Sequence, residues 1–242
     1  MKLEDILDPI SVSVFFKEYW GKKHLIIRRN KFKDIYTFDD FTKYINRYPH
    51  IKGLQIIDYD NFGTRWCKNK CAELQQPNLN KEQIVKLWKD GKTMVVPTCE
   101  YENKELLDIC FEFERYFGRG SANVYASPSA GSKSFPTHSD RTENFLFHTY
   151  GETKWTMYKE FKDNEILEEF ILEAGDLLYI PRYKFHKVET IGPRMLCSIH
   201  FDNKKNQRLD KFIVTSDEAN NRDKWFDLSP EQVLGGTHGS IN

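Results

Sequence analysis

Two histidines and one aspartate stand at positions where they could share a metal ion. His138-Ser139-Asp140 is an H-x-D set within NVYASPSAGSKSFPTHSDRTENFLFHTYGETKWTMY (123–158), and LEAGDLLYIPRYKFH (172–186) ends on His186. Residues at i and i+2 of an extended strand point to one face, so His138 and Asp140 can address the same ion. Two imidazoles and a carboxylate form the ligand set that holds iron(II) on one side and leaves the other open to substrates. Such a site needs a small barrel whose strands bring a distant His186 beside the H-x-D. An apolar strand on each side of the motif and the G-D-L-L-Y-I-P turn before His186 supply that context.

The rest of the chain suits this architecture. At 242 residues it can bury one substantial core, and 18 Phe, 12 Tyr and 5 Trp favour packed, strand-rich structure. Lys plus Arg equals Asp plus Glu at 36 each, so charge favours neither a nucleic acid nor an anionic membrane as an obligate partner. No apolar run is long enough to span a bilayer, and MKLEDILDPI reads as no signal peptide. The 5 cysteines are irregularly spaced, and Cys67 and Cys71 form a C-x3-C without a second pair. Reduced thiols in a cytoplasmic protein are expected.

In chain order, Ser11 is expected to cap a helix carrying Phe15, Phe16, Tyr19 and Trp20 on one face and ended by Gly21. HLIIRR (24–29) reads as a strand. Thr37 with Asp40 opens a second helix, and GLQIIDYD is a further strand. Segment 61–80 reads as a surface loop. Asn80 with Gln83 opens KEQIVKLWKD, TMVVP is a buried strand, and KELLDICFEFERYFG is a longer helix with Leu106, Leu107, Cys110, Phe111 and Phe113 apolar. From Ala122 short strands follow one another: ANVYAS, NFLFHTY, KWTMYK, EFILE, DLLYIP, HKVETI and RMLCSIHF. The expected fold is mainly β with α: a double-stranded β-helix of the jelly-roll kind under a helical N-terminal layer. Residues 1–202 form one domain, with the layer at 1–121 and the barrel at 122–202. Residues 203–242 are a C-terminal extension in which only FIVTS reads as a strand, and GGTHGSIN reads as disordered.

These stretches resemble the cupin-type JmjC-domain oxygenases, and within them the ribosomal-oxygenase-like branch. FFKEYWGKKHLIIRR, LWKDGKTMVV, ANVYASPSAGSKSFPTHSD, GETKWTMY and EAGDLLYIPRYKFHKVET carry the resemblance, from about Asp8 to Asp202. The resemblance implies iron(II) held by His138, Asp140 and His186, with 2-oxoglutarate as cosubstrate. It implies that Asn144 touches the cosubstrate, and it places a Lys or Arg two residues after Gly151, where this chain has Thr153. Lys154 comes one position late, on the opposite face of a regular strand. Two cations are therefore in play for the far carboxylate: Lys154, if a bulge turns it inward, and Arg194, which alternates with Leu196, Ser198 and His200; Lys154 is preferred as the nearer to the usual position. Tyr125 and His200 are open between cosubstrate contact and packing. His148 reads as a packed barrel histidine rather than a fourth ligand, Trp155 as core, and His24, His50 and His238 as incidental.

The activity implied is hydroxylation of an unactivated C–H in a peptide or protein side chain. A small molecule or free amino acid is the alternative substrate, and a non-catalytic metal-binding cupin the alternative role. Loops 61–80 and 127–137 would read the substrate.

Overall fold

The computed structural model describes residues 1–28, 31–47, 54–57, 80–132, 134–159 and 165–201. Residues 61–79 of the expected loop with Cys67 and Cys71, His50, His238 and the extension 203–242 with its FIVTS strand lie outside the described residues.

Helix ends follow their capping residues. Ser11 Oγ accepts from Val14 N at 3.3 Å and opens α2 (Val12–Val14). This helix widens into a π turn, Phe15–Tyr19, before Gly21 ends it at φ 64°. The extra residue of the π turn rotates the apolar stripe, so Phe15, Phe16 and Trp20 are buried but Tyr19 is only partly covered. Thr37 and Asp40 bond reciprocally at 2.9 and 3.3 Å at the start of α3 (Phe38–Arg47). Asn80 and Gln83 do the same at 2.8 Å before α4 (Lys81–Lys89). Asn103 caps α5 (Lys104–Phe117), which buries Leu106, Ile109, Cys110, Phe113 and Phe117 and turns Phe111 to solvent. A short α1 (Leu3–Leu7), unsignalled in the sequence, is tied to α5 by Leu3 N donating to Glu112 at 3.0 Å.

Among the described residues eight strands form one antiparallel system: β1 (Leu25–Ile27), β2 (Gln55–Ile57), β3 (Thr93–Val96), β4 (Gly120–Ser127), β5 (Asn144–Tyr158), β6 (Ile166–Glu173), β7 (Leu177–Ile180) and β8 (His186–Phe201). Their order is β1-β7-β5-β8-β4-β3-β2, with β6 on β5. NFLFHTY and KWTMYK prove to be one strand, β5, and HKVETI and RMLCSIHF another, β8. Each long strand serves two sheets: the first half of β5 pairs β7 and the second half β6, while β8 runs beside both halves. Register shifts between His148 and Tyr150 and between Gly151 and Thr153 make the corner where β5 turns from one sheet into the other. That is the double-stranded β-helix expected. Within 1–121, HLIIRR, GLQIIDYD and TMVVP supply β1, β2 and β3, which extend the main sheet: β1 pairs β7, β3 pairs β4 and β2 pairs β3.

The helices and the main sheet share one apolar core. Phe15 meets Tyr179 at 5.0 Å, Trp20 stacks on Phe117 at 4.5 Å, and Phe113 lies 4.6 Å from Phe145. A second, smaller core of Leu146, Trp155, Met157, Leu172, Leu178, Ile180, Val188 and Leu196 fills the barrel. No helix among the described residues is long and apolar enough to cross a membrane.

Gly151 sits at φ 71°, and a Cβ there would lie 1.8 Å from the Pro193 carbonyl oxygen. Both the left-handed backbone and the close approach of β8 demand glycine at this corner. Gly151→Ala is expected to lower unfolding free energy by at least about 1–3 kcal/mol, read from urea denaturation, because strain and a backbone clash add.

Candidate metal centre and its cavity

His138 and His186 face each other across a two-residue bridge. His138 N donates to His186 O at 3.0 Å, and His186 N donates to His138 O at 2.8 Å. The two imidazole centroids are 4.4 Å apart. Each ring is fixed from behind, His138 Nδ1 on Pro136 O at 2.8 Å and His186 Nδ1 on Lys184 O at 2.9 Å. A backbone carbonyl accepts a proton from Nδ1, which leaves Nε2 as the lone-pair nitrogen. Both Nε2 atoms lie 3.8 Å from the Asp140 carboxylate, one at Oδ1 and one at Oδ2, and the ligand atoms of the three residues lie within 4.8 Å of one another. Two imidazole nitrogens and a carboxylate suit a divalent first-row ion of the iron class, and the arrangement fits one. Burial and the neighbouring His138 hold the His186 imidazole down to about 4, so it is neutral and ready to ligate at ordinary pH.

Asp140 is aimed by its neighbours. Asn144 Nδ2 donates to Asp140 Oδ2 at 2.8 Å, Thr142 Oγ1 bonds Asn144 Oδ1 at 3.3 Å, and Tyr183 N donates to Asp140 O at 2.7 Å. Asn144 therefore touches a ligand and lines the cavity at once. The preceding residue, Glu143, is buried beneath it; burial raises its carboxyl, while Tyr179 and Arg182 hydrogen bonds hold it down.

The ligands form one wall of a cavity of about 200 Å³. Its other walls come from β4 (Asn123, Tyr125), β5 (Asn144, Leu146, Trp155) and β8 (Val188, Arg194, Leu196, Ser198, His200), with Phe135 over it. Register explains the set: Tyr125 stands opposite Leu196, Asn123 opposite Ser198, and Asn144 opposite His200, so all share one face. The expected alternation of Arg194, Leu196, Ser198 and His200 is thus the cavity face of β8, and Tyr125 and His200 both line the cavity. Trp155, read from sequence as core, lines it too, 5.8 Å from the His186 ring.

The preference for Lys154 is corrected. A bulge does follow Gly151, but it leaves Lys154 on the outer face, half-exposed and paired with Glu169 at 2.9 Å. Thr153 points inward without reaching the cavity: its hydroxyl takes Trp155 Nε1 at 2.9 Å and meets His148 Nε2 at 2.9 Å. Arg194 does reach it. Its guanidinium is almost fully buried, with Nε donating to Ser127 Oγ at 3.1 Å, and Ser127 bonds Thr93 at 2.8 Å. Phe135, Asn123, Thr142 and Ser127 went unremarked in the sequence; β4 alternation opposite β8 would have pointed to Asn123, while Phe135 lies in an irregular loop with no period.

Residues 95–209 match the JmjC domain family. The chain is 28% identical over 225 residues to the bifunctional lysine-specific demethylase and histidyl-hydroxylase NO66 of Dictyostelium discoideum, covering 82% of this chain and 41% of the relative. It is 29% identical over 214 residues to ribosomal oxygenase 2 of Rattus norvegicus, covering 77% of this chain and 43% of the relative. The chain thus spans about two fifths of the length of these curated relatives. The structure of the ribosomal oxygenase YcfD from Escherichia coli in complex with cobalt and 2-oxoglutarate has the same fold: TM-score 0.59, 16% identity, over 96% of this chain and 59% of that one.

Two outcomes follow from this geometry. Asn144→Ala is expected to weaken iron(II) or manganese(II) binding roughly 10–100-fold in calorimetry, because Asp140 loses the donor that aims it. His148, buried beside Arg194, is held at about 3 against an ordinary 6.5. The unfolded chain therefore takes up this proton below about pH 6.5 while the folded chain refuses it until about pH 3, so stability falls as pH falls through that window. Between pH 7 and 5 the wild type is expected to lose about 2 kcal/mol more unfolding free energy than His148→Gln, in urea titrations of metal-free protein.

Proposed function

We propose, on the match of residues 95–209 to the JmjC domain family, that this chain is an iron(II)- and 2-oxoglutarate-dependent oxygenase hydroxylating an unactivated C–H bond of a peptide or protein side chain. The observation that carries this reading is the convergence of His138 Nε2, His186 Nε2 and the Asp140 carboxylate on one wall of a cavity. Bound iron with 2-oxoglutarate and O2 supplies a coupled oxidation, in which the cosubstrate leaves as succinate and CO2 and one oxygen atom enters the C–H bond. The protein's part is placement. Pro136 and Lys184 carbonyls keep both imidazoles in the ligating tautomer, and Asn144 keeps the carboxylate turned to the same point. Phe135, Leu146, Trp155, Val188 and Leu196 give the cavity apolar walls that keep bulk water from the reacting centre.

A cavity of about 200 Å³ takes a small cosubstrate and one side chain, so a peptide would lie along the rim and send a single residue inward. The names of the relatives, histidyl-hydroxylase and ribosomal oxygenase, favour a protein side chain over a free metabolite. Buried, unpaired Cys99, Cys110 and Cys197 suit a reducing compartment, and we read the protein as cytoplasmic.

Purified protein with iron(II), 2-oxoglutarate and a peptide library drawn from ribosomal proteins is expected to release succinate and add one oxygen mass to a target peptide. His138→Ala and Asp140→Ala should each lower the rate by more than about 100-fold while leaving the far-ultraviolet circular dichroism unchanged. Succinate release unaffected by either substitution would sink the proposal.

A further inference from the structure

We propose that Arg194 on β8 is the cation that receives the distal carboxylate of 2-oxoglutarate, displaced by one strand from the β5 position where the family resemblance expects a basic residue; this rests on the cosubstrate reading above. Three observations carry it. First, the β5 position is committed elsewhere. Thr153 holds Trp155 and His148 together, and Lys154 is spent on Glu169 at the outer surface. Second, Arg194 lies at the same corner: it is the register partner of Gly151, so a side chain rising from β8 there reaches the region that a residue just past Gly151 would otherwise serve.

Third, among the described residues Arg194 is a buried cation with no carboxylate partner. It is 2% exposed, lines the cavity, and no carboxylate among the described residues pairs with it. Its hydrogen bond from Nε to Ser127 Oγ uses the side of the fork away from the terminal nitrogens and braces the group against β4. Burial brings the guanidinium down only to about 10, so it stays charged at neutral pH, and an unpaired buried charge is a standing penalty that an anion would remove. Charge in the cavity balances the same way. A divalent ion, the Asp140 carboxylate and Arg194 together leave two positive charges, the number a dicarboxylate brings with opposite sign. A lysine at 153 as well would set a second cation beside Arg194 and leave one of them unmatched. The Tyr125 hydroxyl, pushed up to about 12 by burial and hydrogen-bonded to Asn123, stays protonated on the same cavity wall.

The test compares two ligands on protein loaded with manganese(II) without oxygen, by calorimetry: 2-oxoglutarate, and 2-oxovalerate, which has the same chain without the distal carboxylate. The wild type should prefer 2-oxoglutarate by at least about tenfold, the preference a desolvated charge pair gives. Arg194→Met should abolish that preference while keeping manganese affinity, Arg194→Lys should restore part of it, and Lys154→Ala should leave it intact. Without ligand, Arg194→Met should melt no lower than the wild type, as removal of an unpaired buried charge predicts; a salt-bridged structural arginine would lower the melting point. Preference surviving in Arg194→Met, or lost in Lys154→Ala, overturns the assignment while leaving the cosubstrate reading standing. A wild type that holds manganese but binds neither 2-oxo acid overturns that reading itself.

Discussion

The site depends on one reciprocal pair of backbone hydrogen bonds, between His138 and His186. Imidazoles from distant parts of the chain can share an ion once their backbones are held close together, and this bridge holds them at ladder spacing without using either side chain. Everything upstream of it serves to bring β8 to that point. The Gly175 turn feeds β7, β7 lies against the first half of β5, and the short passage through Pro181 and Tyr183 returns the chain to Asp140 before β8 begins. Because the bridge consumes backbone groups alone, both rings are left to be aimed by carbonyls two residues behind them.

A relay of hydrogen bonds links the N-terminal helices to this centre. Gly21 N, at the end of the π turn, donates to Tyr179 Oη at 2.8 Å, and that hydroxyl donates in turn to Glu143. Glu143 also takes Arg182 Nε at 3.1 Å and immediately precedes Asn144, the residue that aims Asp140. Phe15, Trp20, Phe117 and Phe145 surround the relay with rings, so its polar groups sit in an apolar setting where each bond is hard to exchange for water. The helical layer thus fixes the start of β5, and β5 fixes the ligand.

Much of this was legible in the residue pattern. Ligand identity came from two short motifs, helix starts from Ser11, Thr37/Asp40 and Asn80/Gln83, and the cavity face of β8 from strict alternation after Arg194. What the pattern concealed were effects of shape. A strand that changes sheets keeps its hydrogen bonds through the bend, so β5 and β8 read as four strands with a turn-like Gly151 and Gly192-Pro193 between them. The side of Lys154 could not be read from parity, since a bulge resets parity by an amount that only the partner strand determines. Asn144 was placed at the site by the family resemblance, but its bond to Asp140 spans a turn whose geometry no period announces. The short α1 has too few residues to show a period at all.

The three ligands differ in how far they sit from water: the side chain of Asp140 is 32% exposed, that of His138 12% and that of His186 5%. A hydrated cation arriving from solution therefore meets the carboxylate before either imidazole. Attraction between opposite charges acts at longer range than a nitrogen lone pair, so capture starts at Asp140 while the ion still keeps most of its water. His138 and His186 would hold the ion from the buried side, replacing water with imidazole nitrogen. The order of exposure thus makes the carboxylate the side of the site open to solvent, and the two buried rings its closed side.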